Sequence, residues 1–278
     1  MKKPTGWWRW VRWVILGVVG IYFVVPMLAS IWFTIQDRGH GGVSFDAYTA
    51  IPGTEGFSAA IVLSLELAAL TVVGTLAVTI PAMLAITLRL PKLRPWVEFL
   101  SLLPLAIPPI ALVAGVRDLL ELGPDQLAGT PIGDALVSSQ DPSLPWVLVV
   151  VYIVLALPFA YRSIDAGLRA IDVRTLVEAA RGLGATWPTV IGRVLLPNLR
   201  SAVLGAAFLT IGLVLGEFTI SSILLFETLP VWLVKISGEN AQESVSVSIA
   251  SLLFTWVLLL LVSLADRRRR APRLEALA

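Results

Sequence analysis

The stretch Trp13–Phe33, WVILGVVGIYFVVPMLASIWF, contains no charged side chain. In lipid every backbone amide needs an internal partner, so a segment of this kind is either a helix or part of a closed barrel. Barrel strands alternate apolar and polar positions with period two. This run is apolar throughout, so it is read as a membrane helix. The whole chain agrees: 278 residues, 57% hydrophobic and 14% charged, against about 25% charged in an ordinary soluble domain.

Repeating this reading along the chain gives an all-α integral membrane protein with six spans: Val14–Ile35, Phe57–Leu88, Val97–Val116, Pro145–Tyr161, Val203–Phe226 and Val245–Ala265. The second is longer than a bilayer requires, which implies tilt or an interfacial first turn. The third carries Pro104, Pro108 and Pro109, tolerated in membranes where neighbours satisfy the freed carbonyls. The basic start (Lys2, Lys3, Arg9, Arg12) precedes an apolar run longer than a signal-peptide core, with no clear A-x-A site. It is read as a retained signal anchor.

Charge sets the orientation. Of 21 basic residues, 18 fall in the N-terminal segment, the loop after the second span (Arg89, Lys92, Arg94), the loop after the fourth (Arg162, Arg169, Arg174, Arg181, Arg193, Arg200) and the tail (Arg267, Arg268, Arg269, Arg270, Arg273). The other loops hold Arg38, Arg117 and Lys235. The positive-inside rule places both termini in the cytoplasm. The outer loop from Arg117 to Pro145 is acidic, and is read either as a solvated connector or as a docking surface. The one histidine, His40, sits in DRGHGG and reads as a solvated turn residue.

One inner loop is patterned. In IDVRTLVEAARGLG, Asp172 is placed to cap a helix with Leu176, Val177, Ala180 and Leu183 at helical spacing. Gly182 and Gly184 then fit a left-handed C-terminus. TWPTVIGRVLLP restarts with Thr186 as cap and Pro188 in the first turn. Trp187, Val190, Ile191 and Val194 share a face, and Pro197 is expected to end the helix before the fifth span. The spacing from Glu178, Ala179 and Ala180 through Gly184 to Val194, Leu196 and Pro197 resembles the EAA loop of permease subunits of binding-protein-dependent ABC importers, with Val194 replacing the more usual Ile.

The resemblance covers about residues 58–265 and implies the six-helix MetI-like permease fold. Residues 1–57 are then the N-terminal tail, first span and outer loop, 164–200 the EAA loop, and 266–278 a basic cytoplasmic tail. It implies a multi-pass subunit of a prokaryotic inner membrane that forms half of a translocation pathway. Its partners are a second permease subunit, identical or homologous, two ATPase subunits and an extracytoplasmic substrate-binding protein. In such importers the loop forms a coupling helix docked in the ATPase, and closure of the ATPases moves the membrane helices. Glu178 is then a polar contact or helix-orienting residue, Ala179 and Ala180 a docking surface, and Gly184 the turn; alternatively Glu178 pairs locally with Arg181 or Arg174.

Three carboxylates fall within or beside spans. Glu98 is read as interfacial and paired with Arg94. Glu66 either lines the pathway or bonds a neighbouring helix. In LVLGEFTISSILLF, Glu217 is placed in mid-helix beside Gly216, with Ser221 and Ser222 one turn on. Polar residues beside small ones mark helix interfaces in membranes. GEF also looks like the fifth helix of polyamine, ferric-iron, thiamine and sulfate permeases, which makes Glu217, Glu66 and Ser221 pathway candidates and a polyamine the favoured cargo, with ferric iron or thiamine as alternatives.

No P-loop sequence, metal-spaced cluster, cysteine or catalytic Ser/His/Asp set occurs. No cofactor, metal or catalytic residue is therefore expected, and ATP hydrolysis falls to partners. The rival reading is an ion-coupled secondary transporter acting without an ATPase, with broken helices and relays at the midplane.

Overall fold

The computed structural model describes residues 6–37 and 41–268. His40, Arg38, Lys2, Lys3 and the tail arginines 269, 270 and 273 lie outside the described residues, as does most of the expected 266–278 tail. Among the described residues the chain is helical, without strands. It runs α1 (Gly6–Ile35), α2 (Asp46–Thr49), α3 (Phe57–Leu88), α4 (Arg94–Ala106), α5 (Pro109–Asp125), α6 (Pro131–Ser138), α7 (Trp146–Arg169) and α8 (Val173–Gly182). There follow α9 (Trp187–Thr189), a π-helical segment (Val190–Leu195), α10 (Leu196–Gly216), α11 (Thr219–Ile223), α12 (Leu229–Glu239) and α13 (Ala241–Arg268).

Two compact units result. One is formed by the described parts of Met1–Phe57 with Leu233–Trp256. Polar bonds hold it: Thr34 Oγ1 and Tyr48 OH lie 2.8 Å apart, and Gln242 Nε2 donates to the Thr34 and Gln36 carbonyls at 3.0 Å each. The described residues of α1 up to Ala29 are exposed or nearly so within the chain, and Thr34 near its end is buried.

The other unit comprises Ser58–Trp232 and the described residues after Trp256. Here α7 packs along α10. A Cβ on Gly167 would collide with Ala202, and one on Gly205 would lie 2.9 Å from Ser163 Oγ. Ser163 Oγ donates to the Ala202 carbonyl at 2.7 Å. Small residues with an interhelical hydroxyl bond are how membrane helices gain close contact when lipid offers no hydrophobic drive.

α3 has the expected bounds. Among the described residues four helical segments are long and apolar enough to cross a membrane, or five if a bent pair counts as one. That pair corrects the third span, which is broken by 97° between α4 and α5. Ile107 and Pro108 each precede a proline and take extended backbone, ψ 123° and 138°; a following proline disfavours the α conformation. α5 then runs to Asp125, so Arg117, expected in a loop, lies on a helix and bonds Glu121 one turn on at 3.0 Å. The last expected span lies within α13.

The fifth span also starts earlier than expected. The helical path is continuous from Trp187 to Gly216, and Pro197 does not end it. Pro197 sits in the first turn of α10, directly after the π segment. π geometry accommodates an interruption of the regular ladder, and Asn198 Nδ2 bonds the Val194 carbonyl at 2.7 Å.

The expected Glu98–Arg94 pair is not formed. Arg94 instead pairs with Asp165 of α7, which also accepts from Arg169 Nε at 2.8 Å. Asp165 is mostly buried (14% exposed) and ties the start of α4 to the end of α7. Asp165→Ala strands a half-buried guanidinium and is expected to cost about 1–2 kcal/mol, seen as a lower melting temperature in detergent. Asp165→Asn, which keeps one acceptor, should lose less.

Candidate functional site

The segment between α7 and α10 is an elbow. Asp172 caps α8 as expected: its carboxylate accepts from Thr175 N at 3.2 Å and Thr175 Oγ1 at 2.7 Å. These bonds hold its carboxyl below the usual aspartate range. A depressed folded pKa means the cap is complete above the unfolded value of about 3.9 and fails as pH falls through the lower folded value. Hydrogen exchange over 173–182 should therefore accelerate in acid, and Asp172→Ala should accelerate it at neutral pH.

α8 ends at Gly182, and Gly184 follows at φ +82°, the left-handed conformation expected there. Thr186 stands at the next N-cap position, but its hydroxyl meets Thr189 Oγ1 at 3.0 Å and not the backbone.

The elbow has two faces. Val173, Val177, Val190 and Leu195 are buried in one apolar cluster with Met83 of α3, Ile164 and Leu168 of α7, and Leu199 of α10. Ala180 and Trp187 pack against that cluster. Arg89 lies over the Trp187 ring at 5.1 Å and Arg181 at 5.8 Å. On the other face Glu178, Ala179 and Gly184 are exposed.

Leu183, expected among the apolar contacts of α8, is 90% exposed. The sequence spacing placed it on the buried stripe; the helix ends before it, so its side chain leaves that stripe. Arg181 donates to the Ala185 carbonyl at 2.8 Å, closing the turn, and forms no ion pair with Glu178. Val194 and Leu196 are half-buried, and Pro197 is exposed.

Glu217 does not lie in mid-helix. α10 stops at Gly216, and Glu217 is extended (φ −80°, ψ 115°). Its Oε1 accepts from Ile220 N at 2.8 Å, and its Oε2 accepts from Ser221 N at 3.2 Å and Tyr152 OH at 3.0 Å. The carboxylate thus caps α11 and ties it to α7. Ser221 is fully buried, its hydroxyl accepting from Thr228 Oγ1 at 3.0 Å. Glu66 is exposed on α3 and is not part of this cluster. Tyr152 was missed by sequence reading; its only signal is a polar-tipped ring within an apolar run. Among the described residues no group of three or more potential metal ligands gathers.

A family profile described as "Binding-protein-dependent transport system inner membrane component" matches residues 77–271. The molybdenum transport system permease protein ModB of Mycobacterium tuberculosis is 29% identical over 218 residues, 78% of this chain and 77% of its own. Its namesake in Azotobacter vinelandii is 32% identical over 171 residues, 60% of this chain and 73% of its own. A solved bacterial ABC transporter involved in import of the acidic polysaccharide alginate superposes with a TM-score of 0.68 at 18% identity, over 93% of this chain and 96% of that one. At that identity the likeness shows the fold alone. These relatives are named for molybdenum and alginate, so the polyamine, iron or thiamine assignment finds no support in them. The chain belongs to the inner membrane component family of binding-protein-dependent transport systems, and is a multi-pass, non-catalytic permease subunit of an ABC importer.

Proposed function

We propose that this subunit forms half of a translocation pathway for a small tetrahedral oxyanion of the molybdate class, and that the Glu178–Gly184 elbow couples it to a separate ATPase. The elbow's two faces carry the coupling proposal. Its inner valines and leucine are set in the same core as α3, α7 and α10, while Glu178, Ala179, Leu183 and Gly184 face outward. A displacement applied to the outer face is then passed to packed membrane helices, and a motor that holds the elbow differently in two nucleotide states shifts the pathway between two conformations.

The same end of the unit gathers Arg89, Arg94 and Arg169 around the elbow, which supports its assignment to the cytoplasm. The companions are a second permease subunit, two ATPases and an outer binding protein. α1, exposed over most of its length, leaves surface for lipid or for the second permease.

The oxyanion reading rests on the ModB relatives. The cation reading rested on Glu217, whose carboxylate is filled by two amides and a phenol. In cells that depend on this importer, labelled molybdate uptake should be saturable and require the ATPase. Excess of a dianion of the same shape should compete, and putrescine should not. Competition by putrescine alone would overturn the substrate assignment.

A further inference from the structure

The elbow is joined to α7 and α10 by the chain itself: α8 follows α7 after a short turn, and the π segment runs into α10. No such continuity reaches α3 or α4, which lie far earlier in the sequence. Met83, Leu84 and Ile86 of α3 share the elbow's core, but these apolar side chains make no directional bond.

Trp187 makes the other connection. Its half-buried ring packs on that core, and the Arg89 guanidinium lies over it at 5.1 Å. Arg89 closes α3: its amide donates to the Ala85 carbonyl at 2.8 Å, and the Leu90 amide donates to the same oxygen at 3.0 Å. Arg181 of α8 approaches the same ring at 5.8 Å and is fixed by its bond to the Ala185 carbonyl at 2.8 Å. One ring therefore ties both limbs of the elbow to the inner end of α3. The turn beyond is short. Pro91–Leu93 form a 3-10 turn, and α4 begins at Arg94. Pro91 fixes one backbone angle there, so a displacement of Arg89 is passed on to α4.

An exposed cation over an indole shifts an equilibrium about two- to fivefold. That is small beside what holds a folded subunit together, so the contact is a poor fold-holding device. It is large enough to bias which elements move together between two conformations.

We propose that Trp187 and Arg89 are positioning residues of the transport cycle, through which displacement of the elbow reaches the α3–α4 turn. This rests on the coupling role proposed above for the elbow.

The chain has no cysteine, so a single fluorescent label can report one element at a time in the assembled importer with its ATPase, in nanodiscs. Lys92→Cys, exposed between α3 and α4, reports that turn, and Arg162→Cys, exposed on α7, reports α7. ATP with vanadate should change both signals. Adding Arg89→Gln should cut the Lys92 response about threefold, with the Arg162 response, the bound ATPase and the melting temperature unchanged. Arg89→Lys keeps the cation and should recover most of the response. Trp187→Leu should cut the Lys92 response at least as far, and adding Arg89→Gln to it should cost nothing more. An undiminished Lys92 response in Arg89→Gln, an equal loss at both labels, release of the ATPase, or additive losses in the double variant would overturn the proposal. Absence of any response at either label without these changes would instead remove the coupling role itself, and this proposal with it.

Discussion

Leu183→Glu is expected to release the ATPase from the purified permease and to abolish uptake, at unchanged abundance in the membrane. Leu183 is almost fully exposed in the isolated chain and makes no core contact there, so the substitution should spare folding. Docking of the elbow as proposed would bury the same side chain. Burying a leucine is worth about 1.5–3 kcal/mol, and a carboxylate in its place adds desolvation of an unpaired charge. A loss of affinity of about a hundredfold or more follows. Gly184 offers a matched comparison. A Cβ there meets nothing within 4 Å, so its cost is conformational: φ is +82°. A left-handed L-residue costs about 1–2 kcal/mol, less for asparagine. Gly184→Asn should keep most uptake, whereas Gly184→Asp should uncouple transport by adding charge at the docking face. Normal uptake in Leu183→Glu and Gly184→Asp at equal expression would remove the elbow from the mechanism.

The sequence made the local features of this architecture readable. The bounds of α3 follow from a continuous apolar run, the Asp172 cap from one side chain and the amides just after it, and the Gly184 turn from a residue that tolerates positive φ. Each is decided within a few neighbours. What escaped depends on partners remote in the chain or on accumulated angle. Arg94 chose Asp165, 71 positions away, over the adjacent Glu98. The prolines of the third span announced a break, but its 97° bend depends on two successive extended residues. Pro197 looked like a terminator because sequence rules assume α geometry, and the π segment before it changes the register in which the proline sits.

Glu217→Leu is expected to destabilise the subunit by about 3 kcal/mol, because it strips two backbone amides and a phenol of their common acceptor. Each such group left unmet costs about 1–3 kcal/mol, and the three do not add fully because they share one carboxylate. Glu217→Gln should behave differently. Its amide oxygen still accepts from Ile220 N and its NH₂ can donate to the Tyr152 oxygen, but the Ser221 amide, which shared Oε2, loses its acceptor. Melting temperature and uptake should therefore fall together in both variants, modestly in Glu217→Gln and severely in Glu217→Leu. Tyr152→Phe removes one donor and leaves the cap of α11 in place, so its loss should be smaller. The double variant Tyr152→Phe/Glu217→Leu should then cost less than the sum, since part of the penalty of each is the same bond. A substrate-binding carboxylate would give another pattern: Glu217→Gln would lose uptake with no change in melting temperature, and Tyr152→Phe would not share the defect. A cap in the membrane is recognised by stability and transport failing in step, since its work is to hold the break between α10 and α11 in one geometry.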